Sequence, residues 1–492
     1  LPIAATRAPA ARPREFDVAS SAAQEHRERE LKFDVAADWE LPDPVRLVPA
    51  GGRVERRVVR LETTYYDTAQ LSLLRGRLTL RRRSGDEDAG WHLKVPDGDA
   101  RTEIRLPADG RTAVPAELRE ATQGVRGGAA LKPVARLVTE RSVHRLCDGT
   151  GRALAEIAVD SVTATRLGDT AVIAKWREVE VELVDGDERL LERAARWLRK
   201  RHAVPAAAAS KLARTMDAQP AKPRDLSMAS GLAGAYLDAQ AAALLRGDIA
   251  LRRGADVVHQ TRVATRRYRS ILRELGDLFG AERAAALDAD LKWYADALGS
   301  VRDRHVLREH LERALAAVPP ELVLGPVRTR IRQMLTAEER DAAAQLAAAM
   351  RTKRYYALLA ELCAWREELP VVSDRPASDI SSYVRRAERK VRKRFAAAPA
   401  GAGHDAAMHR ARKAAKRARY VAELAVPELG GRAKAARKRM KKTQQRLGLR
   451  QDAVVAAQFL RRAGAAASAG GENGFTFGLL YQRELDRAAA LG

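Results

Sequence analysis

One histidine followed by three cations occurs twice, 150 residues apart, and this constrains the second half of the chain more than any other feature. His259, Arg262, Arg266 and Arg269 are followed by Leu298, Gly299, Arg302 and Asp303. His409, Arg412, Lys416 and Arg419 are followed by Leu447, Gly448, Gln451 and Asp452. Positions i, i+3, i+7 and i+10 share one face of a helix. The separation from His to Gly is 40 residues in one copy and 39 in the other, which points to duplication of a multi-helix unit. Two cationic helix faces built alike look like the two walls of one anion-binding site.

Charge sharpens that reading. The chain carries a formal +25, and after position 380 there are 26 Lys and Arg against 8 Asp and Glu. A field this lopsided attracts a polyanion: nucleic acid, an anionic membrane or a phosphate polymer. Only 5% of the 492 residues are aromatic, and the basic stretches lack the interleaved rings on which bases stack. That disfavours nucleic acid. No apolar run reaches the roughly 18 residues needed to span a bilayer, so no membrane-spanning segment is expected. Leu1 to Arg14 has no continuous apolar stretch of the secretory kind, and residues 1–24 are expected to form a flexible tail. Cys147 and Cys363 stand far apart without metal-ligand spacing, which suggests a reducing compartment and a cytoplasmic location. The oligomeric state has no signature.

A chain of this length should hold two or three domains. Over 25–216, alternating apolar and polar residues recur at Glu28 to Phe33, Arg56 to Glu62, Leu78 to Arg83, Trp91 to Val95, Thr102 to Leu106, Ser142 to Leu146, Leu154 to Asp160 and Glu178 to Leu183. Turn residues punctuate them, so roughly eight short strands are predicted, in a closed barrel or a sandwich. A helix is predicted over Glu188 to Arg201. A linker is placed at 217–229. Beyond it, 230–490 reads as helical throughout. Pro370 to Ser378 separates the two repeat halves, and Ala463 to Gly474 reads as a loop.

Alternate side chains on a strand share a face. Glu28, Glu30 and Lys32 therefore point one way, as do Arg81 with Arg83 and Glu178 with Glu180 and Glu182. Taken alone, Glu28-x-Glu30-x-Lys32 fits a solvated strand with cross-strand ion pairs. The full set favours another arrangement. Small barrels are normally filled with apolar side chains, and a charged interior is costly unless ions or a charged ligand satisfy it. Carboxylates suit Mg²⁺ or Mn²⁺, while Arg and Lys clamp phosphate oxygens. The expected occupant is a metal-bound oligophosphate.

These residues resemble a known family. Glu28-Arg29-Glu30-Leu31-Lys32 is similar to the opening signature of CYTH domains, the triphosphate tunnel metalloenzymes. The likeness continues through Leu80-Arg81-Arg82-Arg83, Lys94, Arg101-Thr102-Glu103, Arg141, Glu156 with Asp160, Glu178-Val179-Glu180-Val181-Glu182 and Ser210-Lys211. The resemblance implies a closed antiparallel eight-stranded tunnel and triphosphate hydrolysis. It implies that Glu28 and Glu30 bind metal together with Glu178 and Glu180. Lys32, Arg81, Arg83, Lys94, Arg141 and Lys211 would grip the phosphates, and Glu156 and Asp160 would assist with metal or water. Arg105 departs from the pattern, where an acidic residue is expected, and leaves Arg101 and Glu103 without assigned roles.

The fragments Val258 to Arg269 and Gly299 to Asp303, with Met408 to Tyr420 and Gln444 to Ala453, resemble the CHAD domain, a histidine-containing α-helical module. That resemblance implies two helical bundles related by pseudo-symmetry and binding of inorganic polyphosphate. The expected contacts are His259, Arg262, Arg266, Arg269, His409, Arg412, Lys413, Lys416, Arg419 and, in the Arg437 to Lys442 run, Arg439. A helix histidine bonded to a carboxylate is the competing reading for His259 and His409. Arg302 with Asp303 reads as a structural ion pair or cap. The whole is expected to be an α+β multidomain chain: a metal-dependent triphosphatase acting on inorganic tripolyphosphate or a related short triphosphate, coupled to a polyphosphate-binding helical domain. The alternatives are a binding protein with a silent tunnel and a basic nucleic-acid-binding protein. The expected partners are inorganic polyphosphate and triphosphate, with no membrane.

Overall fold

The computed structural model describes residues 24–491 apart from 99, 109, 169–170, 220–221 and 399–402. The expected tail therefore lies, except for Gln24, outside the described residues.

The alternating stretches do form strands, but several are longer than the sequence pattern suggests. They are β1 (Gln24–Glu28), β2 (Glu30–Val35), β3 (Arg53–Asp67), β4 (Thr79–Ser84), β5 (Gly90–Asp97), β6 (Ala100–Pro107), β7 (Lys132–Cys147), β8 (Ala153–Arg166), β9 (Val172–Leu183) and β10 (Val204–Pro205). All pair antiparallel in one sheet of order β1-β6-β5-β4-β3-β7-β8-β9-β2-β10. The expectation of a closed eight-stranded tunnel is thereby corrected: the ladder has ten strands and does not close. The physical reason lies at Arg29. There the opening strand breaks, so that β1 pairs with β6 while β2 pairs with β9. One backbone residue, not a row of hydrogen bonds, joins the two sides. Short helices α1 (Ser72–Arg75) and α2 (Ala116–Ala121) connect strands. Helix α3 (Glu188–Arg199) is capped by Asp187, whose side chain accepts from Leu190 N. It covers one sheet face, where Val179 and Val181 pack with Leu190, Ala194 and Leu198. Helix α4 (Lys211–Thr215) follows β10.

The second half is helical, as the Ala-, Leu- and Arg-rich composition demands. It comprises α5 (Ala229–Arg252), α6 (Val258–Leu275), α7 (Ala281–Ala316), α8 (Val327–Ala349), α9 (Lys353–Glu367), α10 (Ile380–Ala396), α11 (His404–Leu424), α12 (Val426–Ala469) and α13 (Phe475–Ala490). The duplicated cationic faces lie on α6 and α11, and the glycines that follow lie on α7 and α12. Each basic helix is left through a glycine in the left-handed region: Gly280 at φ 78° and Gly430 at φ 51°, each 21 residues beyond its histidine. A side chain is strained at such an angle, and α12 bends at Gly430. The segment 370–378 does lie between α9 and α10. The loop read at Ala463 to Gly474 is shorter: Ala463 to Ala469 continue α12, because buried Ala463 and Ala467 pack against Phe477 of α13 and its neighbours.

A single hydrophobic cluster joins strands β4, β5 and β6 to helices α5 and α9. Leu80, Trp91, Leu93 and Ile104 share it with Leu237, Leu244, Leu359 and Trp365. Polar contacts reinforce this seam. Arg246 of α5 pairs with Asp97 at 3.1 Å, and Arg75 pairs with Glu367 at 2.8 Å.

Candidate functional site

Strand register explains how the charged residues meet. Arg141 on β7 lies opposite Asp160 on β8, which lies opposite Glu178 on β9. Lys32 on β2 lies opposite Glu180 on β9. These residues share one face of the sheet, and Lys32, Arg141 and Glu180 line a cavity of about 80 Å³ together with Glu30, Arg81 and Lys211.

Asp160, Glu178 and Glu180 form the tightest carboxylate group: one oxygen from each lies within 4.8 Å of the others. Lys211 Nζ sits among them, 2.9 Å from Asp160, 2.5 Å from Glu178 and 2.8 Å from Glu180. Arg141 donates two hydrogen bonds to Asp160, both at 2.7 Å, and a third to Glu180 at 2.6 Å. Lys32 Nζ also donates to Glu180 and stands 3.4 Å from Glu30. Burial pushes the Glu180 carboxyl upward, but Lys211, Lys32 and Arg141 outweigh it and hold it well below the ordinary range. Burial likewise opposes the charge on Lys211, and Asp160, Glu180 and Glu178 overcome it, so its ammonium is held above the usual lysine range. Glu30 falls to about 2: burial raises it, and Lys32 and Lys94 outweigh that.

A second charged group lies on the β5–β6 side. Glu103 is fully buried. Its carboxylate is 3.0 Å from His92 Nδ1, 3.4 Å from Arg81 and 3.6 Å from Lys94, and it also accepts from Arg105. Glu28 accepts from Lys94 at 2.5 Å and lies 3.5 Å from Arg105. Burial, opposed by Lys94 and aided by Glu103, leaves the Glu28 carboxyl above its ordinary value. Arg83 pairs with Asp86 at 3.3 Å and Asp88 at 3.0 Å. Glu156 pairs with Arg145 at 2.8 Å at the cavity margin.

All the expected tunnel residues therefore surround one cavity or its walls. They divide differently from the residue sets implied by resemblance. Asp160 joins Glu178 and Glu180, whereas Glu28 belongs with Glu103. Sequence reasoning missed Glu103 and His92 as organisers of the wall. It treated Arg105 as a departure, yet Arg105 answers Glu28, Glu103 and Asp88. Its alternation with Arg101 and Glu103 on β6 was the available signal.

The donor set suits a hard divalent cation, which takes carboxylate oxygens. Glu30 Oε1 is buried without a hydrogen-bond donor among the described residues, and Glu178 Oε1 meets only the Lys211 ammonium, at 2.5 Å. A cationic group, Lys211 Nζ, already lies between the three acids, so the pocket is electrostatically built for positive charge.

The helical half presents a separate cationic face. Arg266 and Lys416 have no carboxylate within ion-pair distance among the described residues. The Nε atoms of Arg266, Arg412 and Arg419 are buried without acceptors. Burial lowers Lys416 to about 7, helped by Arg412, Arg266 and Arg262. Arg262 is held by Asp303 at 2.5 Å, and Arg412 lies 3.9 Å from Asp452. His409 Nδ1 meets Gln451 at 3.1 Å, and His259 is exposed. Neither histidine bonds to a carboxylate among the described residues. Lys413 is exposed on α11. Arg269 is tied to Asp288 at 2.9 Å, Arg419 donates to Gln444 at 3.1 Å, and Arg439 pairs with Glu388 at 2.8 Å. The first two contacts join neighbouring helices, α6 to α7 and α11 to α12. Asp303 pairs with Arg262 and not with its neighbour Arg302.

Comparison with known proteins gives the following. Residues 26–216 match the CYTH domain family, and residues 235–461 match the CHAD domain family. The chain is 38% identical over 489 residues to the uncharacterized protein Rv2226 of Mycobacterium tuberculosis, covering 94% of each. It is 34% identical over 122 residues to the thiamine-triphosphatase of Homo sapiens, covering 22% of this chain and 51% of that protein. The solved CHAD domain from the plant Ricinus communis aligns at 27% identity over 55% of this chain and 91% of that one, with a TM-score of 0.43. No helix among the described residues is long and apolar enough to cross a membrane.

Proposed function

The chain belongs to the proteins that join a CYTH domain to a CHAD domain, and from that membership and the geometry above we propose that it is a metal-dependent triphosphatase whose helical half binds inorganic polyphosphate. The substrate is inorganic tripolyphosphate or a related short triphosphate, and the cation is Mg²⁺ or Mn²⁺. The catalytic unit is 25–216, the linker 217–229 and the binding unit 230–490.

One observation carries the reading: the carboxylates of Asp160, Glu178 and Glu180 stand directly beside Lys32, Arg141 and Lys211, and these three cations line the cavity together with Glu180. Such interleaving suits a ligand that brings both signs of charge. Asp160, Glu178 and Glu180, with Glu30 nearby, would hold the divalent ion, and Glu28 would act from the opposite wall. When bound, that ion supplies charge neutralisation at the terminal phosphoryl group and a polarised water. Arg81, Arg83 and Lys94 on one side, with Lys32, Arg141 and Lys211 on the other, bind and orient the phosphates. Their charge stabilises the transferring oxygens. Glu156 at the cavity margin assists in orienting water. No covalent intermediate is required.

On the helical half, Arg262, Arg266, Arg412 and Lys416 converge from two helices without enough acid to neutralise them. A flexible phosphate chain supplies that acid and asks for no base readout.

A panel of phosphate-release assays tests the catalytic half. Glu30→Gln and Glu180→Gln should each lower turnover of tripolyphosphate by about 100-fold or more, the scale for losing one charge-stabilising group. If Glu28→Gln and Glu30→Gln both leave turnover untouched, their metal role is wrong. A silent tunnel is the second reading, favoured by the position of the Lys211 ammonium among the three acids; binding of long polyphosphate with no cleavage under any divalent ion would establish it. Displacement of polyphosphate by duplex DNA at equal phosphate concentration would support a nucleic-acid partner instead. Both polyanions depend steeply on salt, so salt sensitivity does not separate them.

A further inference from the structure

Lys211 is expected to grip phosphate, yet its ammonium lies among the three carboxylates best placed to hold a metal. We propose that Lys211 is a built-in counter-ion that the divalent cation displaces, and that the released ammonium then becomes a phosphate ligand. This rests on the reading that Asp160, Glu178 and Glu180 bind metal.

The geometry makes the two cations exclusive. Nζ is 2.5 to 2.9 Å from all three acids, the centre of the same oxygen cage. A magnesium ion needs oxygen ligands at about 2.0–2.1 Å, so it must take the place of the ammonium. Two positive charges at that separation in a partly buried wall repel strongly. The lysine has somewhere to go. Its residue lines the cavity together with Lys32, Arg81 and Arg101, where anionic oxygens are expected. Its anchor is firm: Ser210 Oγ accepts from Ala213 N at 3.1 Å and caps α4. The stem can therefore swing while the backbone stays.

Exchange of this kind has two consequences. Without metal, Lys211, with Arg141 and Lys32, reduces the repulsion among three buried like charges. With metal, a cation that was neutralised becomes available, so metal binding raises affinity for triphosphate beyond the metal's own contacts.

Lysine reactivity reads the exchange without turnover. Reductive methylation of the full-length protein, followed by peptide mass analysis, should modify Lys211 poorly in EDTA. Saturating Mn²⁺ without phosphate should raise that modification about tenfold. Exposed Lys175 should be unaffected. Calorimetry of Mn²⁺ binding runs in parallel. Mn²⁺ binding with Lys211 labelling unchanged or lowered overturns the exchange and leaves the metal site standing. Absence of Mn²⁺ binding overturns both. Lys211→Met provides a second arm: it should bind Mn²⁺ more tightly without phosphate and, at saturating Mn²⁺, bind tripolyphosphate more weakly. Unchanged or weaker Mn²⁺ affinity in that variant contradicts the proposal.

Discussion

The guanidinium of Arg262 lies against the bare backbone of Gly299: a Cβ there would stand 3.2 Å from Nη2. Arg412 and Gly448 repeat the relationship at 3.2 Å. The glycines of the duplicated pattern are thus seats for its arginines.

Gly299→Ala should therefore separate stability from binding. Alanine favours a helix over glycine by about 1 kcal/mol, while the arginine must shift by a few tenths of an ångström. Thermal stability should hold or rise slightly, and polyphosphate affinity should fall several-fold. The double variant with Gly448→Ala should lose more. Unchanged affinity in a binding isotherm would remove the seating role.

Lys416 should give polyphosphate binding a pH dependence near neutrality. Its amine is lowered to about 7 by burial and by Arg412, Arg266 and Arg262, so it is charged below that pH and neutral above. Binding should tighten from pH 8 to pH 6.5, and Lys416→Arg should flatten the profile. His259 and His409, both lowered by burial and nearby cations, act at more acid pH. The free protein should behave in the opposite sense. The unfolded chain keeps this proton up to about pH 10.4, so the folded state binds fewer protons above pH 7. The contribution of this group to stability should grow with pH over that window.

Asp248 should prove essential to the seam between the two halves. It is fully buried on α5, accepts from Arg252 at 2.9 Å and from Tyr355 at 3.0 Å, and faces Gly124, where a Cβ would meet its carboxylate at 2.2 Å. Asp248→Ala leaves Arg252 buried without its main partner, a loss of about 3–5 kcal/mol. Because Trp91 and Leu237 share one core, strand and helix signals should disappear together in urea. A helical half that melts alone would contradict that coupling.

Strand alternation and the duplicated cationic face were legible because each is periodic and local. The sign of charge on each strand face was legible for the same reason. What was not legible depended on register. Asp160 joins Glu178 only because β8 and β9 pair as they do, and no local pattern encodes that. The break at Arg29 is a change of partner, invisible in the run from Glu28 to Phe33. Arg269 fits the repeat perfectly in sequence but faces Asp288 of the next helix. Ala463 to Ala469 looked loop-like by composition, whereas alanine is the strongest helix former and α13 supplies a packing partner.

Phosphate release from tripolyphosphate, followed before and after EDTA, tests the central claim most directly. Turnover should require Mg²⁺ or Mn²⁺, stop on chelation and return when the ion is restored. Turnover that persists in EDTA, or none with any divalent cation, would contradict it.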